Sequence, residues 1–182
     1  YLTQKDKPLC YIDTHSGGGA YSLQSHEANK TAEYRDGIGK IWQARDLPEP
    51  LVRYKQLVAQ LNNDNKLSHY PGSPWIAQTL LRANDRLFLS ELHPNEIPRL
   101  QKNFGADKRI HIREEDGLKF ALSLLPPKEK RALVLIDPSY EVKTDYRAVF
   151  DTLISAYKRF ATGTYALWYP VVERPRIVQM EK

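Results

Sequence analysis

Four consecutive residues, Asp137-Pro138-Ser139-Tyr140, follow an unbroken apolar run and combine groups suited to a flat, amino-bearing base. The Asp137 carboxylate and the Pro138 carbonyl are hydrogen-bond acceptors, and the Tyr140 ring offers a face for stacking. An amino group on an aromatic ring is a poor nucleophile because its lone pair is delocalised. Two acceptors that hold its hydrogens favour a pyramidal nitrogen whose lone pair points at an electrophile. The tetrapeptide thus predicts a site for a flat, amino-bearing base, although Asp-Pro also fits an ordinary turn.

Three other segments have residue types found in nucleotide sites. Gly17, Gly18 and Gly19 follow a short apolar run, and such a loop can approach a ligand closely with its amides free to donate. Its spacing differs from that of dinucleotide-binding and phosphate-binding loops, so neither nicotinamide nor ATP is favoured. Glu91 follows the next apolar run, where nucleotide-binding α/β folds hold ribose hydroxyls. Asp116, directly before Gly117 and a predicted helix, is a further ligand candidate. The glycine run alone also fits a tight turn.

The segment 70–74, Tyr-Pro-Gly-Ser-Pro, predicts the start of a helix. Ser73 occupies the expected N-cap position, and Pro74 suits the first helical position. A helix N-terminus that faces a cleft also offers donors to a ligand. Ser73 therefore has two compatible interpretations, as a capping hydroxyl and as a ligand contact.

The apolar runs before these polar groups predict strands buried on both faces of a parallel sheet. Ligands bind outside the carboxyl ends of such strands, so the sheet would bring the polar segments together. Helical patterns separate the runs, which indicates an α/β fold. The predicted strands are residues 9–13, 86–92, 109–113, 133–136 and 164–172.

Residues 21–65 have a different, helical and polar character. Apolar spacing predicts helices over 32–45 and 49–61, and the asparagine-rich segment 62–65 ends the pair. A crossover between parallel strands needs only one helix. We therefore predict that 21–65 is a small helical insertion in a domain formed by 1–20 and 66–182.

Composition narrows the function classes without choosing one. The chain has 182 residues, a net charge of +5 and a pI near 9.2, which permits a polyanionic partner. The single cysteine excludes a disulfide framework and a cysteine-rich zinc site, and it favours a reducing compartment. No apolar run approaches the length of a membrane span, and the first residues are too polar for a secretory signal. We expect a cytoplasmic protein with no metal and no membrane contact.

The order of the polar segments on successive strand ends resembles that of class I S-adenosylmethionine-dependent methyltransferases. The tetrapeptide at Asp137 is similar to the Asp/Asn-Pro-Pro-aromatic sequence of enzymes that methylate exocyclic amino groups, above all adenine N6, with Ser139 in place of a proline. Longer segments resemble a family of bacterial 23S ribosomal RNA adenine-N6 methyltransferases. These segments are residues 11–19, 70–74, 91–94, 116–117, 135–146 and 157–172.

This resemblance covers essentially the whole chain and implies a Rossmann-like class I methyltransferase sheet with a small inserted helical subdomain. It also implies S-adenosyl-L-methionine as methyl donor, an adenosine in 23S ribosomal RNA as acceptor, and a monomeric protein acting on free RNA. The amino- and carboxyl-terminal parts of the family domain are expected to be missing. With Gly17 from the glycine loop, the predicted cofactor-binding residues are His15, Gly17, Ser73, Glu91, Asp116, Gly117 and Asp137. The predicted catalytic residues are Asp137, Pro138 and Tyr140.

Two other functions stay open at the level of sequence. The same site could act on adenine in DNA, because no residue that recognises a 2′-hydroxyl can be identified. A nucleic-acid-binding homologue that has lost catalysis is the other alternative, and Ser139 is its best support. Whether Asp137 removes a proton or only holds the amino group also stays open.

Overall fold

The computed structural model describes residues 1–62, 66–140 and 144–170, which form an α/β fold. The strands are β1 (Cys10–Asp13), β2 (Ala20–Ser22), β3 (His69–Pro71), β4 (Arg86–Ser90), β5 (Ile110–Arg113), β6 (Ala132–Ile136) and β7 (Thr164–Leu167). The helices are α1 (His26–Thr31), α2 (Ile38–Gln43), α3 (Glu49–Gln60), α4 (Ser73–Leu80), α5 (Ile97–Phe104), α6 (Gly117–Leu124) and α7 (Thr144–Arg159).

The central sheet has the strand order β5-β4-β1-β6-β7, and every neighbouring pair in it is parallel. The predicted α/β class with a parallel sheet is therefore confirmed. The second predicted strand is shorter than expected, because Glu91 turns to accept hydrogen bonds from the amides of Leu92 and His93. The fifth ends at Leu167, and residues 171–172 of that prediction lie outside the described residues.

Side chains alternate between two apolar layers, one on each face of the sheet. Helices α6 and α7 cover one face, and α4 and α5 cover the other. Cys10 is fully buried in the first layer, as predicted for a small hydrophobic residue, and burial raises the pKa of its thiol to about 12. With both faces covered, the inner strands β4, β1 and β6 carry charged side chains only at strand ends, at Arg86 and Asp13.

The segment between β2 and β3 departs from one of its two predicted helices. The helix predicted over 49–61 is confirmed as α3. The single helix predicted over 32–45 is wrong: the structure has a 3-10 turn at Glu33–Arg35 followed by the short α2, and Ala32 adopts a φ of 52°. Gly37, a poor helix former, is the N-cap residue of α2 and lies at this interruption. The pairing of β2 with β3 was not predicted, and it joins the two ends of the segment. The domain division at 21–65 stays a prediction, and residues 63–65 lie outside the described residues.

Helix α4 begins one residue earlier than its predicted cap implies. Gly72 is the N-cap residue and Ser73 is already helical, so the predicted capping role of Ser73 is wrong. The Ser73 side chain instead lies near the carboxyl group of Asp13 and helps to lower the pKa of that group. The start of α4 is therefore close to the end of β1.

Asp13 is a buried carboxyl group at the end of β1. The Tyr11 hydroxyl donates to its Oδ2 at 2.9 Å, and the His15 amide lies 3.3 Å from its Oδ1. Burial raises the pKa of Asp13 to about 6, against the opposing effect of these hydrogen bonds. The carboxyl group connects the strand end to the following loop.

Gly117 brings the start of α6 against the loop after β1. A Cβ atom at this position would collide with the backbone carbonyl of Thr14. Only glycine permits this approach of helix and strand end without a shift of one backbone. The contact joins two of the segments that the sequence marked as candidate site.

We predict that Gly117→Ala destabilises the fold by about 1–3 kcal/mol because of this collision. Alanine is a better helix former than glycine by about 1 kcal/mol, so helix propensity alone would stabilise the variant. A loss of stability would therefore be due to the collision with Thr14. Urea unfolding measures the change, and Ser123→Ala, at an exposed position of the same helix, should stay within about 0.5 kcal/mol of the parent. Equal stability of the Gly117 variant and the parent would contradict the close contact.

We further predict that Asp13→Asn changes how stability depends on pH. The folded pKa of Asp13, about 6, exceeds the usual value of about 3.9, so between these values only the folded state keeps the proton. The Asp13 contribution to the free energy of unfolding should therefore fall by up to about 3 kcal/mol as pH rises through this window. Asparagine does not titrate, so the free energy of unfolding of the Asp13→Asn variant should lack this fall.

Urea unfolding at intervals from about pH 4 to 7 measures the difference between parent and variant. Asp36→Asn, which changes an exposed carboxylate paired with Lys40, serves as the matched control and should give a profile parallel to that of the parent. A parallel profile for Asp13→Asn as well would contradict a raised pKa.

Candidate active site

The polar segments after β1, β4, β5 and β6 meet at the carboxyl edge of the sheet. The Ser16 amide donates to the Ser90 carbonyl at 3.0 Å, and the Ser90 hydroxyl donates to the Glu115 carbonyl at 2.5 Å. The Thr14 amide donates to the Leu135 carbonyl at 3.1 Å. These bonds connect the four strand ends into one surface, as the sequence predicted for its polar segments.

Glu91 fixes the glycine loop to the end of β4. Its Oε2 accepts the Gly17 amide at 2.7 Å, and its Oε1 accepts the amides of Leu92 and His93 at 2.8 and 2.7 Å. The expectation of free amides in the loop is wrong for Gly17 and also for Gly18, whose amide donates to the Tyr21 hydroxyl at 3.1 Å. No local pattern marks a bond between residues this far apart in sequence. The carboxylate keeps lone pairs for a further donor.

His15 lies among the acidic side chains of this edge. Burial lowers the pKa of its imidazole, and the surrounding carboxylates oppose that effect. These acids are Glu91, Asp137, Asp116 and Asp145, in order of decreasing effect. Asp145, in the first turn of α7, was not predicted from the sequence. Within the described residues no group of His, Cys, Asp or Glu side chains is close enough to hold a metal ion.

Asp116 and Gly117 have structural roles at the start of α6. Oδ1 of Asp116 accepts the amides of Leu118 and Lys119 at 3.0 and 3.2 Å, which caps the helix, and Oδ2 lies 3.3 Å from the Lys119 ammonium. Burial alone would raise the pKa of Asp116, but these contacts outweigh it and the pKa is lowered. A ligand contact through the partly exposed Oδ2 is compatible with this capping and stays a prediction.

Asp137 stands exposed directly after β6, beside the buried Pro138. Partial burial raises the pKa of its carboxyl group, and the nearby His15 opposes this rise. No hydrogen bond to this carboxylate occurs within the part of the chain that the structure describes. An accessible acceptor at the centre of the edge is what the predicted role requires, and that role stays a prediction.

Tyr140 does not present a free face in this structure. Its side chain is only 9% exposed, its hydroxyl donates to the Trp168 carbonyl at 3.0 Å, and its ring centroid lies 4.5 Å from that of Tyr146. Its backbone has a φ of 55°. The predicted stacking on a base would need these contacts to open. Trp168, which the sequence placed within a strand, is instead 53% exposed and lies 6.4 Å from the Tyr140 ring.

Comparison with known proteins identifies the family. A family model described as "Ribosomal RNA large subunit methyltransferase D, RlmJ" matches residues 6–182. The chain is 50% identical to "Ribosomal RNA large subunit methyltransferase J" of Escherichia coli over 98% of its own length and 64% of that protein. It is also 50% identical to the protein of the same name from Haemophilus influenzae, over 100% of its own length and 65% of that relative. The chain thus spans slightly less than two thirds of these curated relatives.

The fold comparison agrees with the sequence comparison. A crystal structure of protein LPL1258 from Legionella pneumophila superposes with a TM-score of 0.92 at 43% identity, covering 100% of this chain and 67% of that one. The Rossmann-like fold and the family resemblance expected from the sequence are confirmed. The chain belongs to the RlmJ family of ribosomal RNA large subunit methyltransferases.

Proposed function

We propose that this protein transfers a methyl group from S-adenosyl-L-methionine to the N6 amino group of an adenosine in 23S ribosomal RNA. The observation that carries the proposal is the accessible Asp137 carboxylate beside Pro138, on the sheet edge where the polar segments meet. Membership of the RlmJ family and the names of its relatives support the same reaction. We also propose that the protein acts in the cytoplasm as a monomer on free RNA.

The residues at the edge fit the proposed methyl donor. That cofactor supplies an electrophilic methyl group on a positively charged sulfonium, and the carboxylates around His15 create a favourable environment for positive charge. Glu91, which its amide donors hold in place, has lone pairs for ribose hydroxyls. The outer oxygen of Asp116 is available for a base amino group. The wall around the proposed cofactor would be formed by the other predicted contacts, which are His15, Gly17, Ser73 and Gly117.

Asp137 and the Pro138 carbonyl would hold the hydrogens of the target amino group. Two acceptors at this point orient the nitrogen lone pair towards the methyl group, and the reaction then gains from proximity and alignment. The target base must leave its stack to reach the edge. Tyr140 and the exposed Trp168 are the aromatic side chains beside this position.

We expect Asp137→Ala to lower methyl transfer by at least about 10²-fold, the usual effect of removing one preorganised polar group. Binding of S-adenosylmethionine, measured by calorimetry, should change little because other residues provide most of the proposed cofactor contacts. Asp36→Ala, at an exposed carboxylate away from the sheet edge, is the control and should keep full activity. Full activity of the Asp137 variant would refute its assignment.

We expect RNA to be preferred over DNA as methyl acceptor. Transfer to a 23S ribosomal RNA fragment and to DNA of the same sequence can be compared, with mass spectrometry of the nucleosides as readout. The product should be N6-methyladenosine. Equal methylation of both acceptors would support a DNA enzyme, and cofactor binding with no methylated nucleoside would support a homologue without activity.

A further inference from the structure

A second cavity, distinct from the edge around Asp137, lies between the segment that follows β2 and the start of α5. Its volume is about 770 Å³. We name it the insertion pocket. Its wall combines aromatic rings, two carboxylates and a guanidinium, from Tyr21, Tyr34, Tyr70, Glu33, Glu96 and Arg99.

The insertion pocket shares the glycine loop with the candidate active site. On one side of the loop, the Gly17 amide binds Glu91 of the active-site edge. On the other side, the Gly18 amide binds the hydroxyl of Tyr21, which lines the pocket. Asn103 of α5 also donates to the Gly18 carbonyl at 3.0 Å. The two sites are therefore neighbours, and an extended polymer that enters one can reach the other.

The two oxygens of the Glu96 carboxylate, at the wall of the pocket, have different environments. Its Oε1 accepts a hydrogen bond from Arg99 at 3.0 Å, whereas its Oε2 is buried and has no hydrogen-bond partner within the described residues. Oε2 lies against Gly18. A buried acceptor without a donor is costly, and such atoms in folded proteins call for an explanation. Rotation of the carboxylate into the cavity would relieve this cost if a bound donor were present.

The other lining groups indicate what kind of molecule would bring the donor. Tyr21, Tyr34 and Tyr70 provide aromatic surface, and the Tyr70 hydroxyl is fixed by the Tyr54 hydroxyl at 2.6 Å. The Arg99 side chain is 57% exposed, so its guanidinium also has donors directed to solvent. Aromatic rings beside carboxylate acceptors and one cation match an unpaired nucleobase with an amino group, joined to a phosphate.

We propose that the insertion pocket binds an unpaired, amino-bearing nucleotide of the RNA substrate, at a position other than the methylated one. The base stacks on the tyrosine rings, its amino group donates to Glu96, and Arg99 contacts the adjacent phosphate. Adenine, cytosine and guanine have the required amino group, and uracil does not. This inference rests on the proposed function only in taking RNA as the partner.

The test is RNA binding by Glu96→Gln in the absence of methyl donor. We expect the variant to bind oligo(C) and oligo(A) about tenfold more weakly than the parent, in the range for loss of a base contact. Its affinity for oligo(U) should change less than twofold, so the preference for amino-bearing bases should disappear. Loss of discrimination separates base recognition from a purely structural role.

Glu49→Gln is the matched control, because it makes the same charge change at an exposed side chain of α3 outside the pocket. It should leave all affinities unchanged. Tyr34→Leu is a second variant, expected to weaken binding of all oligonucleotides about tenfold through loss of stacking. Thermal unfolding of each variant verifies that it is folded.

The outcomes separate this inference from the proposed function. Parent-like discrimination by folded Glu96→Gln, or no discrimination by the parent, would overturn the pocket assignment while methyl transfer by the parent stands. If Glu96→Gln loses the discrimination and the parent methylates no RNA, base binding in the insertion pocket would be supported and the proposed methyl transfer would be refuted. Loss of S-adenosylmethionine binding in Glu96→Gln with unchanged RNA binding would assign Glu96 to the cofactor site instead.

Discussion

The arrangement of the sheet edge depends on the hydrogen bonds that the Glu91 carboxylate accepts. It accepts three backbone amides, from Gly17, Leu92 and His93, at 2.7–2.8 Å. Charged acceptors make stronger hydrogen bonds than neutral ones, and three such bonds leave the side chain little freedom. The glycine loop is thereby fixed relative to β4. The same loop bonds to Tyr21, which lines the insertion pocket, so the Glu91 carboxylate helps to position both the active-site edge and one side chain of that pocket.

The buried Asp13 supports the same region from the side of the core. A carboxyl group with no exposure is costly in its charged form, and the hydrogen bonds from Tyr11 and His15 only partly compensate. Its position at the end of β1 connects the core to the polar edge. The fold thus contains a buried carboxyl group whose charged form is unfavourable, at the point where a strand end meets the following loop. Ionisable groups with shifted pKa values are common near functional sites.

Sequence reasoning was most successful for the sheet. Unbroken apolar runs place the parallel strands well, because burial on both faces leaves a signal within each run. The same logic located Glu91, Asp116 and Asp137 at strand ends. It failed where a feature depends on distant contacts. No local pattern relates the residues that are brought together in the β2–β3 pairing, in the approach of Ser73 to Asp13, or in the position of Asp145 near His15.

Local propensity also misjudged some conformations. Apolar spacing suggested one helix over 32–45, but the helix is interrupted before Gly37, a poor helix former that becomes the N-cap residue of α2. For Tyr140 the residue type suggested an open stacking face, whereas the ring packs on Tyr146 and the hydroxyl binds the Trp168 carbonyl. Residue type describes what a side chain can do, and packing decides which surface remains available.

The contact of Gly117 with the Thr14 carbonyl has a consequence for how related sequences are interpreted. Any chain that keeps α6 this close to the end of β1 has to keep glycine at this position, whether or not it retains a ligand. An invariant Asp-Gly pair among homologues would thus be explained by helix capping and steric exclusion alone. Retention of Asp137, which has no such packing duty, would be the more informative sign of preserved chemistry.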